Sequence, residues 1–449
     1  MTLHIHFVGI KGSGMCALAQ ISAEIERVTI TGSDIEERFF TDIILERANI
    51  PVLPFSPKNV EKADLVVASA AYTDQHPEIA RAKELNIPIL SYPQYLARLM
   101  LKKRGIAVTG THGKTTTTAM IGLILMQSGL DPTIIVGSNV PSLGGNAHTG
   151  RGEFFLAESC EYRRHFLNYS PQYLIITNID FDHPDYFRDL EDVILAFQQM
   201  AQKIPPGGHI FICADDPNYQ AIKSQVPLTT FGLSPEADVR ATDITFNDEV
   251  STMKIYISGK YAGDLVLNVY GKHNILNALA AIAFCHKIGI PLPQILKSLS
   301  LYTGTKRRFE HLGVKDGALI VDDYAHHPTE IRTTLEGARR SFPNRRIRAI
   351  FQPHTFSRTE KLLKDFSCAF QSADEVVIAD IFASARENNS NTVSALTLAE
   401  MIQKQGIQAS YIGTIEDIKS YVEKTLAPQD LVLTLGAGDI YKVGQELVC

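Results

Sequence analysis

Short apolar runs alternate with segments of helical spacing along most of the chain. In the first hundred residues, strand-like runs such as HIHFVGI and ADLVVASAA are separated by helical patterns such as SGMCALAQISAEI. The alternation returns in the last third, in ALIVDDY, RIRAIFQ and DLVLTLGAGD. Strands that alternate with helices in this way are typical of parallel α/β sheets. The pattern therefore predicts an α/β protein.

The chain is too long for a single hydrophobic core. A chain of 449 residues is expected to fold as about three domains. The polar segment LKKRG, residues 101–105, reads as a hinge between the first α/β unit and the second. We predict domains at 1–102, 103–308 and 309–449.

Composition excludes several classes of protein. No apolar run approaches the roughly 18 residues that a membrane span needs, and the first residues lack the features of a signal peptide. We therefore expect a cytoplasmic protein without membrane insertion. The net charge of −6 gives no reason to expect a nucleic-acid partner. The six cysteines are scattered without a CxxC motif, which argues against a disulfide framework or a zinc site.

The strongest chemical signal is RGIAVTGTHGKTTTT, residues 104–118. Gly110 and Gly113 allow backbone N–H groups to face phosphate oxygens, Lys114 can reach the β- and γ-phosphates, and the Thr115 hydroxyl can bind Mg²⁺. Only two residues separate these glycines, whereas the common P-loop has four. The segment predicts a contracted P-loop that binds a nucleoside triphosphate.

A second glycine loop follows the first predicted strand. Gly9, Gly12 and Gly14 lie between HIHFV and a helical pattern, which suits a diphosphate at a helix N-terminus. Their spacing differs from the GxGxxG of NAD enzymes. Ser33 and Asp34 end the next strand and can bind a ribose or a base, although an ordinary Asx turn explains them too.

The middle of the chain supplies polar residues beyond apolar strands. Glu158 follows one strand, and its carboxylate together with Thr115 suits Mg²⁺. His183 lies in NIDFDHPDYF beyond the next strand, where a structural role and a functional role are both open. Asn274 lies near the start of a helix, where it can read an adenine edge or cap the helix.

The last third carries two dense polar motifs, VDDYAHHPTEI and FQPHTFSRT, each between a strand and a helix. We expect their side chains to lie at adjacent strand ends and to face a common cleft. An acid, two histidines and an arginine there can hold a zwitterion, with the arginine binding a carboxylate through its fork. These residues are Asp323, His326, His354 and Arg358.

Together these motifs resemble those of the Mur ligases, over nearly the whole chain. The contracted P-loop and the order of the motifs carry the resemblance. The matching segments are GIKGSGM, TGSD, GTHGKTTTT, TNIDFDHPDYF, GKHNxxN, KRRFE, DDYAHHPTEI, FQPHTFSRT, DIFASARE and GAGDI.

The resemblance implies a three-domain α/β fold: a Rossmann-like UDP-binding domain, a central P-loop ATPase domain and a Rossmann-like C-terminal domain. It also implies an ATP-dependent carbon–nitrogen ligase of peptidoglycan biosynthesis that joins L-alanine to UDP-N-acetylmuramate. The muramoyl carboxylate would be phosphorylated by ATP, and the amine of L-alanine would attack the resulting acyl phosphate.

The resemblance further assigns residues to each ligand. Lys114, Glu158 and His183 would be catalytic, with Thr115 and Glu158 binding one Mg²⁺ and His183 a second. The expected ATP-binding residues are Gly110, Thr111, His112, Gly113, Lys114, Thr115, Thr116, His273, Asn274, Asn277 and Arg308. The expected UDP-sugar residues are Gly9, Lys11, Gly12, Gly14, Ser33 and Asp34, and the expected amino-acid residues are Asp323, His326, His354 and Arg358.

Some positions depart from the family pattern. Glu161 keeps an acid after Glu158, but Arg163 stands where an acid is common. Thr355 follows His354 where an arginine often sits, and Lys11 replaces a frequent glycine. Other Mur ligases use a carbamylated lysine, and no lysine here has surroundings that justify that role.

Three alternatives stay open at this point. The nearest is a murein tripeptide ligase, which shares the overall plan and joins UDP-N-acetylmuramate to L-Ala-γ-D-Glu-meso-diaminopimelate. An NAD-dependent oxidoreductase would leave the P-loop unexplained. A non-catalytic nucleotide-binding regulator would be expected to have lost Lys114, Glu158 or His183, and all three are present.

Overall fold

The computed structural model describes residues 2–25, 28–247, 250–269, 271–383 and 393–449. The chain forms two compact units. Unit 1 comprises Met1–Ile179, Ile194–Arg240 and Ala278–Ser298, and unit 2 comprises Asp180–Val193, Ala241–Asn277 and Leu299–Cys449. This division differs from the domain boundaries expected at residues 102 and 308, which stay a prediction.

Unit 1 begins with a parallel sheet of five strands in the order β3-β2-β1-β4-β5. The strands are β1 (Leu3–Val8), β2 (Val28–Ser33), β3 (Val52–Leu53), β4 (Leu65–Ala68) and β5 (Ile89–Ser91). The helices between them are α1 (Ser13–Ile25), α2 (Phe40–Arg47), α3 (Pro77–Glu84) and α4 (Tyr92–Met100). Every residue of β4 is buried, as expected for a parallel strand covered on both faces.

A second sheet of unit 1 runs in the order β12-β11-β10-β6-β9-β7-β8. Its neighbours are parallel except for the β7–β8 pair. The strands are β6 (Arg104–Thr109), β7 (Thr133–Val140), β8 (Gly145–His148), β9 (Phe154–Glu158), β10 (Tyr173–Ile176), β11 (His209–Cys213) and β12 (Leu228–Gly232). This order puts β9 and β10 on either side of β6, the strand that leads into the P-loop.

Four elements contain residues of both units: α6 (Leu190–Gln202), β13 (Val239–Asn247), α7 (Lys272–Lys287) and α8 (Leu292–Leu299). The helix that follows the P-loop, α5 (Lys114–Gln127), lies within unit 1. It is buried from Thr115 to Leu125 without interruption, so it is a core helix rather than an amphipathic surface helix.

Unit 2 contains a hairpin, β14 (Val250–Ile257) with β15 (Lys260–Leu267), and a sheet in the order β16-β17-β21-β18-β19-β20. In that sheet only the pair β16–β17 is antiparallel. The strands are β16 (Glu310–Lys315), β17 (Ala318–Asp323), β18 (Arg346–Phe351), β19 (Glu375–Ala379), β20 (Gln408–Gly413) and β21 (Asp430–Leu435). The helices are α9 (Pro328–Ser341), α10 (Phe356–Lys361), α11 (Leu363–Ser367), α12 (Ala395–Lys404), α13 (Ile415–Thr425) and α14 (Tyr441–Val448).

The sheet of unit 2 has a hydrophobic core on each face. Ile320 and Ile350 belong to one core, whereas their chain neighbours Val321 and Phe351 belong to the other. Successive side chains of a strand point to opposite faces of a sheet, so a strand covered by helices on both faces is apolar throughout. This is why these strands read as continuous apolar runs in the sequence.

One expectation about this sheet is wrong. The ends of β17 and β18 are not adjacent, because β21, the last strand of the chain, lies between them and pairs with both. The chain continues from β21 into Gly436, whose φ is +146°, and Gly438. A Cβ on Gly438 would lie 2.2 Å from Oε1 of Gln352. The backbone beyond β21 therefore packs closely against the segment that follows β18.

Candidate active site

The P-loop is built around two glycines in conformations that other residues avoid. Gly113 begins α5 with φ +80°, and Gly110 follows β6 with φ +135°. A Cβ on Gly110 would lie 2.0 Å from Oγ1 of Thr177 and 3.0 Å from the backbone N of Asn178. Only glycine fits this position, both for its backbone conformation and for the space available.

The two residues that follow β10 hold the loop in place. The Thr177 hydroxyl donates to the carbonyl of His112 at 2.5 Å. The Asn178 side-chain amide accepts from the backbone N–H of His112 at 2.9 Å and donates to its carbonyl at 3.0 Å. Asn178 also accepts the N–H of Thr111 on its backbone carbonyl. Both residues begin the motif TNIDFDHPDYF, but the sequence analysis assigned a role to neither of them.

Lys114 is held across the loop by a buried carboxylate. Its Nζ donates to the carbonyls of Gly110 (2.5 Å) and Thr111 (3.0 Å) and lies 3.2 Å from Oε2 of Glu161. Burial alone would lower the pKa of Lys114, but the nearby carboxylates, Glu161 first, raise it. Lys114 is therefore a cation. Glu161, whose role the sequence left open, is its ion-pair partner.

Glu158 lies beside this loop because its strand, β9, neighbours β6, with Val108 opposite Glu158 in register. Its Oε1 accepts the backbone N–H of Gly137 at 2.8 Å. A Cβ at Gly137 would lie 2.8 Å from Oε2 of Glu158, so glycine at this position lets the carboxylate pack against the backbone. Thr115 and Thr116 lie in the first turn of α5, at the end of the adjacent strand β6.

The N-terminal glycine loop is also tightly packed. Gly9 has φ +78° and donates its N–H to the carbonyl of Ser33. A Cβ on Gly9 would lie 2.7 Å from Cε2 of Tyr72, and one on Gly14 would lie 2.7 Å from Cε2 of Tyr92. Gly12 meets no such obstacle within 3.4 Å. The structure thus gives steric reasons for Gly9 and Gly14.

Two side chains expected at the UDP-sugar are turned inward. Ser33 is fully buried, and its hydroxyl donates to Glu78 at 2.5 Å. Lys11 directs its Nζ to Asp42 (3.0 Å) and to the carbonyl of Glu37 (2.8 Å). Both side chains are bound inside the protein in this structure, and their direct contact with the UDP-sugar stays a prediction. Ser33 supports the loop through its carbonyl.

Asp34 holds the same loop through its carboxylate. Its Oδ2 accepts the backbone N–H of Lys11 at 2.7 Å, and its Oδ1 accepts that of Ile35 at 2.8 Å. The sequence placed Asp34 at a ribose or in an Asx turn. The hydrogen bond to the adjacent Ile35 is not an Asx turn, which needs the N–H two residues further on. The bond to Lys11 joins the end of β2 to the glycine loop.

In unit 2, the rings of His326 and His354 meet at a centroid distance of 6.1 Å. Arg358 joins them, with Nη1 lying 3.3 Å from Nδ1 of His354. The motifs are therefore brought together although β21 separates their strands. His354 also stacks on Phe382 at 5.7 Å. The last four residues of the DIFASARE motif, 384–387, lie outside the described residues.

The guanidinium of Arg358 is directed at Asp182. Its Nε and Nη2 lie 3.0 and 2.9 Å from the same oxygen, Oδ1. Burial would raise the pKa of Asp182, but the Arg358 cation holds it well below its usual value. Binding of a substrate carboxylate by this fork stays a prediction and would require exchange with Asp182. The internal ion pair uses the fork, because both groups are buried and each compensates the charge of the other.

The carboxylate of Asp323 is also bound within the protein. Its two carboxylate oxygens accept backbone N–H groups, from Ala325 at 2.7 Å and from Phe309 at 2.9 Å. Burial raises the pKa of Asp323 to about 6. The Asp323 carboxylate ties the segment before β16 to the loop that carries His326, and its place in the amino-acid site stays a prediction.

The residues expected at the adenine lie together at the start of α7. Asn277 donates its side-chain amide to Asn274 at 3.4 Å. Burial, with the Arg308 cation, lowers the pKa of His273 to about 4, so this imidazole is neutral near pH 7. Arg308 lies over the ring of Tyr324 at 5.2 Å. All these residues belong to unit 2.

His183 adopts a left-handed backbone conformation, with φ +55°. Its N–H donates to Oδ1 of Asp182 at 2.6 Å, and its Nε2 lies 3.9 Å from Oδ2 of the same residue. A non-glycine residue in this conformation is uncommon and is often found at functional sites. His183 belongs to unit 2, whereas Lys114, Thr115 and Glu158 belong to unit 1.

These features define the class of protein. A glycine loop between a buried strand and a buried helix, with a lysine cation and a neighbouring carboxylate, is the phosphate-binding site of a P-loop α/β protein. Among the described residues, no helix is long and apolar enough to cross a lipid bilayer.

Family models identify the particular family. The Mur ligase family, catalytic domain, matches residues 4–104; the Mur ligase middle domain matches 108–285; and the Mur ligase, glutamate ligase domain, matches 307–438. The chain belongs to the Mur ligase family. Its three-domain α/β fold, expected from the resemblance, is confirmed.

Individual relatives cover the whole chain. UDP-N-acetylmuramate–L-alanine ligase of Desulfitobacterium hafniense is 71% identical over 449 residues, 100% of each chain. The ligase of the same name from Caldanaerobacter subterraneus is 42% identical and covers 99% of this chain and 97% of its own.

Solved structures agree. UDP-N-acetylmuramate–alanine ligase from Thermotoga maritima superimposes with a TM-score of 0.84 at 31% identity, over 99% of this chain and 98% of its own. A murein peptide ligase from Psychrobacter arcticus superimposes with a TM-score of 0.73 at 25% identity, over 99% of this chain and 98% of its own.

Proposed function

We propose that this protein joins L-alanine to UDP-N-acetylmuramate at the expense of ATP, releasing ADP and phosphate, in peptidoglycan biosynthesis. The observation that carries the proposal is the 71% identity over the full length to a ligase with this activity. The higher similarity to alanine ligases than to the murein peptide ligase favours L-alanine over the tripeptide as the acceptor. A cytoplasmic location and the absence of a nucleic-acid partner are part of the same proposal.

The chemistry requires activation of a carboxylate. A carboxylate cannot expel oxide at neutral pH, so transfer of the γ-phosphoryl group of ATP to the muramoyl carboxylate creates a leaving group. The amine of L-alanine then attacks the acyl phosphate, forming the amide and releasing phosphate. Phosphoryl transfer of this kind is catalysed mainly by positioning and by neutralising negative charge.

The P-loop supplies both effects. The N-terminus of α5 would face an anion, and Lys114 adds a full positive charge. The N–H groups of Thr111 and His112 are bound by Asn178 and shape the loop. Lys114 contacts Glu161 in this structure, so phosphate oxygens would exchange with that carboxylate. Thr177 and Asn178 keep the loop in shape during this exchange, because they bind its backbone rather than its side chains.

The residues beside the loop suit Mg²⁺. Hard oxygen ligands are preferred by this ion, and Thr115 and Glu158 offer a hydroxyl and a carboxylate at neighbouring strand ends. Thr115 and Glu158 would hold the ion, with His183 proposed for a second one. When bound, Mg²⁺ neutralises charge on the β- and γ-phosphates.

The remaining residues bind the other groups. We place adenine at His273, Asn274 and Asn277, and a nucleotide phosphate at Arg308. We place the amino acid at His326 and His354, with Arg358 held behind them by Asp182 and Asp323 supporting the loop. The UDP moiety is assigned to the loop of Gly9, Gly12 and Gly14, which Lys11, Ser33 and Asp34 support from behind.

The test is phosphate release with UDP-N-acetylmuramate, ATP and Mg²⁺, while the acceptor is varied among L-alanine, glycine, L-serine and the murein tripeptide. We expect the highest kcat/KM with L-alanine. Turnover with the tripeptide alone would refute the choice of acceptor. Turnover with none of these acceptors would refute the proposed reaction.

A substitution of the P-loop lysine tests the phosphorylation step. Lys114→Ala removes the charge that meets the β- and γ-phosphates, so phosphate release should fall by at least about a hundredfold while the fold is kept. Lys203→Ala, an exposed lysine in the same unit, is the matched control. Near-normal turnover of the Lys114 variant would remove the P-loop from the mechanism.

A further inference from the structure

Glu330 lies in the first turn of α9, between residues that we assign to two different ligands. Its Oε2 accepts the backbone N–H of His326 at 3.0 Å and lies 3.3 Å from Nδ1 of the same histidine. Its Oε1 lies 3.9 Å from Nη1 of Arg308. One half-buried carboxylate, with its side chain 11% exposed, therefore contacts both the proposed amino-acid site and the proposed phosphate site.

Helix capping explains only part of this arrangement. Glu330 and His327 form a capping box at the start of α9, in which Glu330 accepts the backbone N–H of His327 at 3.3 Å. The backbone N–H groups of His326 and His327 are both bound by Oε2. The contact of Oε1 with Arg308 adds nothing to the cap, so it needs a different explanation.

The chemistry of a nucleotide phosphate suggests that explanation. A phosphate and a carboxylate compete for the same arginine, because both are anions that match the guanidinium. When a phosphate takes Arg308, Glu330 keeps its contacts with the N–H groups of His326 and His327 and with the ring of His326. Binding at Arg308 would then strengthen the hold of Glu330 on His326.

We propose that Glu330 is a positioning residue that couples the two sites. Glu330 restrains Arg308 until a nucleotide phosphate replaces the Glu330 carboxylate at the guanidinium. Glu330 then fixes His326 for the amino acid. This inference rests on the proposed function, because it takes the ligands of Arg308 and His326 from it. All three residues belong to unit 2, so the coupling runs within one compact body.

Glu330→Gln tests the inference, because glutamine keeps an acceptor oxygen for the cap but loses the charge. Without a competing carboxylate, Arg308 is released, and the Kd for ATP should fall about two- to fivefold, the range of a partly exposed ion pair. His326 loses its restraint, so the KM for L-alanine should rise. A purely structural role would weaken both ligands together, so opposite changes distinguish the two roles.

The matched control is Glu336→Gln, on the same helix. Its carboxylate lies 3.8 Å from Arg340 on the surface, and both constants should stay as in the unmodified protein. In an Arg308→Gln background, Glu330→Gln should no longer tighten ATP binding, because the arginine that it releases is absent. Should the glutamine variant fail to fold, Glu330→Asp replaces it, since the shorter side chain keeps the charge but withdraws from Arg308.

ATP binding is measured by calorimetry without turnover, and the KM for L-alanine by phosphate release. An unchanged or weaker ATP affinity in the Glu330 variant overturns the proposal, as does an ATP effect that persists without Arg308. Absence of turnover in the unmodified protein would instead refute the proposed function. The ATP measurements decide the role of Glu330 in either case.

Discussion

Gly110→Ala should impair ATP binding far more than any other single methyl group added in this part of the chain. Gly110 has φ +135°, in a region that is essentially restricted to glycine and costs another residue about 1 to 3 kcal/mol. The new Cβ would also lie 2.0 Å from Oγ1 of Thr177. Thr177 would have to move, and its bond to His112, worth about 0.5 to 1.5 kcal/mol, would be lost.

The sum is about 2 to 4 kcal/mol, and it acts on the loop that meets the phosphates. If half of it appears in binding, the Kd for ATP rises about five- to thirtyfold. Calorimetry with ATP measures this change, and phosphate release should fall with it. A urea titration reports how much of the cost appears as lost stability instead.

Two further variants separate the backbone term from the steric term. Gly129→Ala is the matched control, because Gly129 also has a positive φ, +72°, but a Cβ there meets nothing within 4 Å. It should lose about 1 to 2 kcal/mol of stability and bind ATP normally. Combining Gly110→Ala with Thr177→Ala removes the side-chain overlap but keeps the strain, so it should recover part of the affinity. ATP binding by Gly110→Ala within twofold of the unmodified protein would refute the reasoning.

Two other predictions concern ionisable side chains in unit 2. Arg358→Ala leaves Asp182 buried without its cation and should lower the free energy of unfolding by about 3 to 5 kcal/mol. The double variant Arg358→Met with Asp182→Leu should lose less stability, because no unpaired charge remains. Urea titrations that find the double variant less stable than the single one would contradict this. Burial lowers the pKa of His326 to about 3, so the unfolded chain, with a pKa near 6.5, binds the proton first and stability falls as the pH drops from about 6.5 toward 3. His326→Gln should remove about 2 kcal/mol of the stability lost between pH 7 and pH 5, and an equal loss in both proteins would count against a neutral His326.

Much of the fold could be read from the sequence because its signals are local. The run SGMCALAQISAEI predicted a helix with the same bounds as α1. The three apolar runs of the last third, ALIVDDY, RIRAIFQ and DLVLTLGAGD, became the strands β17, β18 and β21. The positions of glycine turns could also be predicted, because glycine lacks a Cβ and so adopts a positive φ such as that of Gly110. Strands and glycine turns depend on neighbours a few residues away, which a linear pattern contains.

The order of the strands could not be read in the same way. Placing β17 and β18 side by side was wrong, because β21 comes from about 80 residues further along the chain and inserts between them. Sheet order depends on which long-range pairing buries the most apolar surface without crossing connections. No periodicity within a strand encodes that choice.

The sequence by itself determined which chemical groups this protein has and which family they indicate. The contracted loop with Lys114, the acid at Glu158 and the two histidine motifs sufficed for that. Only the tertiary structure decided which of the polar side chains are bound to other side chains of the protein. Arg358 meets Asp182, Ser33 meets Glu78, and Lys114 meets Glu161, each across a long stretch of sequence. A buried polar group must find a partner, and packing alone decides which partner is within reach.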